Sequence, residues 1–322
     1  MKLAQGLALG TCFLTLVLIG LGAFVRASGS GLGCGPDWPT CSGGGVIPPD
    51  TYHAIVESSH RYTASVVGVL TILTAIATWK WYRHSRVAMW AAGISIPLVA
   101  FQAILGMITV KHELAPAVVA SHLIVAMVFM STMLAVWVAM YLEDPERGQR
   151  LRSVVTAPTR RPGLASAVAI VWLTGVMWIG AYMAESGAST ACKGWPLCNG
   201  SVTPDSSQHE VVHMVHRYIA GLFIFFVVAV AYYSWKHRDE LFWAAPVAVA
   251  VSILYVLQVM VGAFNVWYTF PDWLSVSHTV IAACVWLTLS AAILFNYYSP
   301  AAERKASLVA GTARPPREAQ HV

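Results

Sequence analysis

Charge is what this chain has least of. Asp, Glu, Lys and Arg make up 11% of its 322 residues, less than half the roughly 25% of a soluble domain. The shortage excludes a solvated globular surface. The net charge of +5 therefore reports topology rather than a face for nucleic acid. Cysteine is scarce too, at six residues, and neither spaced pair has a second ligand pair at zinc spacing. The first apolar run has only Lys2 before it and no small-residue cleavage site after it. That reads as a retained helix rather than a signal peptide.

What is there instead is hydrophobic: 57% of residues, gathered in runs near the ~20 residues that a bilayer-spanning helix needs. Eight such runs are expected, at about 7–25, 60–82, 87–110, 118–142, 164–183, 216–235, 242–266 and 275–298. The fold class is an all-α integral membrane protein. With the N-terminus inside, fifteen basic residues fall on the inner side and five, Arg26, Arg61, Lys111, Lys193 and Arg217, on the outer side. This positive-inside bias places both termini in the cytoplasm.

The chain also repeats itself. His60-Arg61-Tyr62 recurs as His216-Arg217-Tyr218, Ser121-His122 as Ser277-His278, Gln102 as Gln258, Gly106 as Gly262 and His53 as His209, all 156 residues on. The expected organisation is an N-terminal four-helix half (1–142), a basic cytoplasmic linker (143–163) and a C-terminal four-helix half (164–298). A disordered cytoplasmic tail (299–322) follows. An even number of helices per half makes the two a parallel repeat, related by an axis along the membrane normal.

Two long loops lie outside, from Arg26 to about Glu57 and from Glu185 to about His213. Each carries a cysteine pair beside a Trp-Pro, in Trp38-Pro39-Thr40-Cys41 and Trp195-Pro196-Leu197-Cys198. In an oxidising compartment Cys34–Cys41 and Cys192–Cys198 are candidate disulfides, either structural staples or redox-active pairs. Cys12 and Cys284 lie within helices and read as packing residues.

His60 and His216 stand at the outer ends of their expected helices. His122 and His278 lie a few residues further in, roughly 5–10 Å deep at ~1.5 Å per residue. A lone intramembrane histidine is commonly a satisfied core group. Four, in register, point to function. Haem iron needs only two axial imidazoles, whereas zinc needs more protein ligands. Arg61 and Arg217 could meet haem propionates bidentately or snorkel to the headgroups. The halves differ at one informative place: His53, Glu57 and His60 share a helical face, and the matching stripe is His209, His213 and His216. Glu57 is either a proton acceptor or charge stabiliser near a haem, or an interfacial acid paired with Arg61.

On GSGLGCGPDWPTC, Glu57-Ser58-Ser59-His60-Arg61, Ser121-His122, ACKGWPLC, His216-Arg217 and Ser277-His278, the chain resembles the haem A synthases across about residues 5–298. That resemblance implies oxidation of a haem O methyl group to the formyl group of haem A, for cytochrome oxidase biogenesis. It implies that His60 and His122 flank the substrate haem, with Arg61 binding it and Glu57 catalytic. His216 and His278 would ligate the iron of a haem b cofactor, with Arg217 beside them. It makes the outer cysteines resemble those of disulfide-bonded loops in the family. The implied partners are haem O, membrane lipid, the haem O-producing farnesyltransferase and cytochrome oxidase assembly factors, in a bacterial cell membrane. The unequal cysteine spacing, six residues between Cys34 and Cys41 and five between Cys192 and Cys198, departs from strict equivalence of the loops. A di-haem b electron-transfer cytochrome would share the four histidines without needing Glu57. A parallel-repeat transporter is disfavoured, because the polar groups cluster toward one face.

Overall fold

The computed structural model describes residues 1–41, 50–143, 160–204 and 207–312, with side chains described as far as residue 298. Most of the expected linker (144–159) and the end of the expected tail (313–322) lie outside the described residues. The helices are α1 (Lys2–Ala27), α2 (Tyr52–Tyr82), α3 (Arg86–Lys111), α4 (Pro116–Leu142), α5 (Arg161–Glu185), α6 (Gln208–Lys236), α7 (Ala244–Trp267) and α8 (Asp272–Thr312). A short 3-10 turn, Ala188–Thr190, follows α5. All eight helices are long and apolar enough to cross a membrane, α8 through Asp272–Tyr298. The protein is therefore a multi-pass membrane protein. The backbone of α8 stays helical to Thr312, past the point where a tail was expected.

Helices α2 and α6 start eight residues earlier than hydropathy suggested, at Tyr52 and Gln208. Their first turns are polar, so an apolar window misses them. Capping sets their true beginnings: the side chain of Thr51 accepts from the Ala54 amide at 3.3 Å, and that of Ser207 from the Glu210 amide at 3.2 Å. Such caps satisfy amides that lack an intrahelical partner. The long loops between these helices shorten to match; their described parts are 28–41 with 50–51, and 186–204 with 207. His60 and His216 are thus not at helix ends but ~12 Å along their helices at 1.5 Å per residue.

Helix packing falls into two closed rings, α1–α2–α3–α4 and α5–α6–α7–α8. Between the rings α1 packs on α8, α4 on α5 and α4 on α8. Exchanging α1–α4 for α5–α8 maps this set of contacts onto itself. Helix α4 runs along the seam, which explains why Met127, Met130, Met133 and Met140 are all fully buried. Deep in the seam Ser131 and Ser290 hydroxyls lie 3.0 Å apart, and Trp286 Nε1 donates to Ser131 at 2.8 Å. Large apolar side chains such as Trp79, Trp90, Val171 and Phe225 face outward, as lipid-facing positions require. The turns 112–115 and 268–271 share one bundle end with both cysteine loops. At matching places, Glu113 and Leu114, and Thr269 and Phe270, adopt positive φ.

Candidate functional site

Each of the four histidines lies against bare helix backbone. An added Cβ at Gly22 of α1 would stand 3.1 Å from Cε1 of His60, and one at Gly106 of α3 would stand 3.6 Å from that of His122. In the second half Gly180 of α5 would bring a Cβ to 2.7 Å from His216, and Gly262 of α7 to 3.1 Å from His278. Glycine lets the imidazole sit where a side chain would otherwise be. Within each half the rings are electrostatic neighbours, His60 with His122 and His216 with His278. The structure thus brings together both expected pairs.

The buried polar atoms without a hydrogen-bond partner concentrate at these rings: Nδ1 of His60, His122, His216 and His278, with Oε1 of Gln102 and of Gln258 beside them. The amide nitrogen of Gln258 contacts Nε2 of His278 at 3.1 Å. In the second half the backbone of Val176 faces His216 and that of Gln258 faces His278, and at Gly22, Gly180 and Gly262 the ring edge nearest the glycine is Cε1–Nδ1, which leaves Nε2 as the nitrogen turned from the backbone and able to ligate a metal. Among the described residues no three or more His, Cys, Asp or Glu gather to hold a metal ion. Two imidazoles between apolar helices fit an iron porphyrin, whose ring fills the equatorial positions.

Glu57 is buried, at 4% exposure. It accepts from the Cys34 amide at 2.7 Å and from Arg61 at 3.1 Å (Nε) and 2.5 Å (Nη2). Arg61 Nη1 donates to the carbonyls of Asp37, Pro39 and Thr40 at 3.0–3.1 Å. The second half reproduces the clamp with a neutral base. His213 Nδ1 faces the Ala188 carbonyl at 3.1 Å, so that nitrogen carries the proton and Nε2 accepts from Arg217 Nη2 at 2.9 Å. Arg217 Nη1 donates to Gly194 at 2.8 Å and to Pro196 and Leu197 at 3.1 Å. Both guanidiniums therefore hold a loop over their half. Neither is a headgroup-seeking cation, and most of their donors are taken.

The clamped loops are closed by disulfides Cys34–Cys41 and Cys192–Cys198, with Cα atoms 4.4 and 4.6 Å apart. The Trp38–Pro39 and Trp195–Pro196 bonds are both cis. His53 contacts the Ser30 hydroxyl through Nδ1 at 2.9 Å, tying α2 to the first loop rather than joining the imidazole pair.

Some residues at the site escaped a search at constant offset. Gly22 and Gly180 are 158 residues apart, not 156, because the segment from glycine to histidine is two residues longer in the first half. Trp178 of α5 donates to the Ser121 hydroxyl of α4 at 3.3 Å, next to His122, and its only sequence counterpart at 158 is Gly20.

The family of cytochrome oxidase assembly proteins (COX15-CtaA) matches residues 5–290 of the chain. A heme A synthase of Bacillus licheniformis is 29% identical over 291 residues, covering 88% of this chain and 93% of the relative. One of Bacillus cereus is 28% identical over 298 residues, covering 92% and 93%. One of Bacillus anthracis is 28% identical over 297 residues, covering 91% and 93%. With a match over nearly its whole length on top of the paired imidazoles, this chain belongs to the cytochrome oxidase assembly protein family COX15-CtaA.

Proposed function

We propose that this protein is a haem A synthase, a membrane oxidoreductase that converts a methyl group of haem O into the formyl group of haem A. The observation that carries the reading is the recurrence, in both halves, of two half-buried imidazoles, each packed on a glycine-bared helix. The relatives named heme A synthase say which haem chemistry such a pair serves. The two halves act as an internal repeat with divided labour. His60 and His122 hold the substrate haem, and His216 and His278 hold a resident haem b.

Haem b, when bound, supplies reversible one-electron transfer. The chain's residues do the rest. His216 and His278 would hold the iron of that group. Glu57 is the one carboxylate within a turn of a histidine pair, and its place in the second half is taken by neutral His213. Its carboxylate already accepts from Arg61 and the Cys34 amide, so we assign it the stabilisation of positive charge developing on the substrate rather than proton storage. The clamped loops cover the ends of both halves and restrict water. The distribution of basic residues puts the termini in the cytoplasm and the disulfide loops outside.

The test is haem extraction from the purified protein, with each haem identified by mass. The proposal expects haem b together with a farnesyl-bearing haem. His216→Met and His278→Met should lose the resident low-spin signal. Haem b as the sole haem at every stage of expression with haem O would refute the synthase reading, and protein without any haem would refute the sites.

A further inference from the structure

Arg26, a cation of the first half, is an electrostatic neighbour of His278 in the second. It occupies the last turn of α1 and is partly buried. Among the described residues its guanidinium takes part in none of the ion pairs, whereas Arg61 is committed to Glu57 and Arg217 to His213 and its loop. Its electrostatic neighbours are Glu185 at the end of α5, Asp272 at the start of α8, and His278 itself.

The register explains the approach. Helices α1 and α8 run antiparallel and touch closely at Gly20, where a Cβ would stand 3.1 Å from Val280 Cγ2. From that contact toward the loop end, α1 rises ~9 Å to Arg26, while α8 rises ~3 Å to His278 and ~12 Å to Asp272. The Arg26 backbone therefore lies between the levels of His278 and Asp272, on the loop side of the imidazole.

We infer that Arg26 is the anion-binding residue of the second half's haem site, pairing across the interface between halves with a carboxylate of the group ligated by His216 and His278. The inference rests on the haem reading of those two histidines. A porphyrin of the haem b type carries both propionates on one edge, and a guanidinium is suited to a carboxylate in a site of low polarity. Left unpaired in an apolar bundle, the cation would be costly. Glu185 and Asp272 lie within electrostatic range but do not bond it.

The first half lacks the equivalent. Gly22 and Gly180 back the first ligand of each pair, so Arg26 on α1 corresponds to Ala184 on α5. Helix α5 packs on α4, which carries His122, yet presents no cation at that place. The difference matches the roles. A resident cofactor is retained by an added ion pair, while a substrate haem, which must leave after oxidation, is held without one.

The test compares Arg26→Gln, Arg26→Lys and Ala184→Arg in the full-length, haem-loaded protein. Loss of haem to excess apomyoglobin, the midpoint potential and thermal unfolding are followed. Arg26→Gln should release haem b about tenfold faster than the parent. Its reduction equilibrium should move toward the ferric form, since a nearby positive charge favours the ferrous state, by up to about tenfold or ~59 mV for one electron. Arg26→Lys, which keeps the charge, should restore most of the potential but less of the retention. Ala184→Arg should leave haem b untouched and raise the farnesylated haem that co-purifies. Glu185→Gln separates a merely structural cation: if it accelerates haem loss as much as Arg26→Gln, with both unfolding earlier, the pairing with haem is overturned. Unchanged release and potential in Arg26→Gln would overturn it too. A parent protein whose haem b survives His216→Met and His278→Met unaltered would instead overturn the reading beneath it.

Discussion

At the scale of single residues, the glycines behind the histidines decide how tightly each ring is held. The contacts differ, 2.7 Å at Gly180 and 3.6 Å at Gly106. Gly180→Ala must displace the His216 ring, whereas Gly106→Ala meets His122 at ordinary van der Waals distance. We therefore expect Gly180→Ala to lower haem content and weaken the low-spin spectrum, and Gly106→Ala to change neither noticeably. Equal haem occupancy in the two variants would show that the ring positions are not set by these helices. Glu57 can be tested with a replacement the protein itself contains. Glu57→His rebuilds the clamp seen at His213 and Arg217, keeping an acceptor for Arg61 while removing the carboxylate. If Glu57 stabilises charge in the reaction, this variant folds, retains haem b and loses haem A formation by ~10²–10⁴, the range typical for a positioned catalytic group. Full haem A production by Glu57→His would leave Glu57 only the structural role that its bonds with Arg61 and Cys34 describe.

At the scale of elements, each loop is held twice, by a disulfide that closes a short inner segment and by an arginine fork beneath it. Closing a loop this short restricts the unfolded chain by roughly 2–3 kcal/mol in the chain-entropy account. Cys192→Ser should therefore cost about that much in stability, read from thermal unfolding of the detergent-solubilised protein. Arg217→Lys keeps the charge but has no fork to serve Gly194, Pro196 and Leu197 at once. Faster proteolysis within 191–200 is expected, with the disulfide still intact; a cleavage rate equal to the parent's would mean that the disulfide alone holds the loop. The true beginnings of α2 and α6 belong to this scale as well. Hydropathy locates the apolar part of a helix, and Thr51 and Ser207 extend it outward through polar turns that no hydrophobic window registers. That extension puts Glu57 and His60 on one continuous helix, and the clamp depends on it.

At the scale of the whole molecule, two helical rings meet along α1, α4, α5 and α8, with one end carrying both disulfide loops. The proposed orientation predicts that Thr203→Cys, exposed in the second loop, reacts with a membrane-impermeant thiol reagent in intact cells. Arg238→Cys, exposed at the opposite end, should react only after lysis. The reverse pattern would invert the topology. The interface also makes the halves interdependent, because Trp178 of the second half bonds Ser121 beside His122 while Arg26 of the first approaches His278.

The one-dimensional pattern was enough for the membrane-spanning helices, the four histidines in two pairs, the disulfide partners and the Glu57–His213 difference. Each is a property of order along the chain: apolar run length, recurrence at a constant interval, or nearness in sequence. What the histidines rest on and what Arg61 and Arg217 bind came only from the tertiary structure. Arg61 looked equally suited to a propionate or a headgroup, since nothing in its neighbours states that a loop folds back so that three carbonyls meet its fork. Gly22 and Gly180 fell outside the recurrence because loops change length without changing the packing they connect. Arg26 looked like one more basic residue at a helix end. Its approach to His278, more than two hundred and fifty residues away, exists only because α1 and α8 pack side by side, and packing across a chain is decided by shape and burial rather than by order.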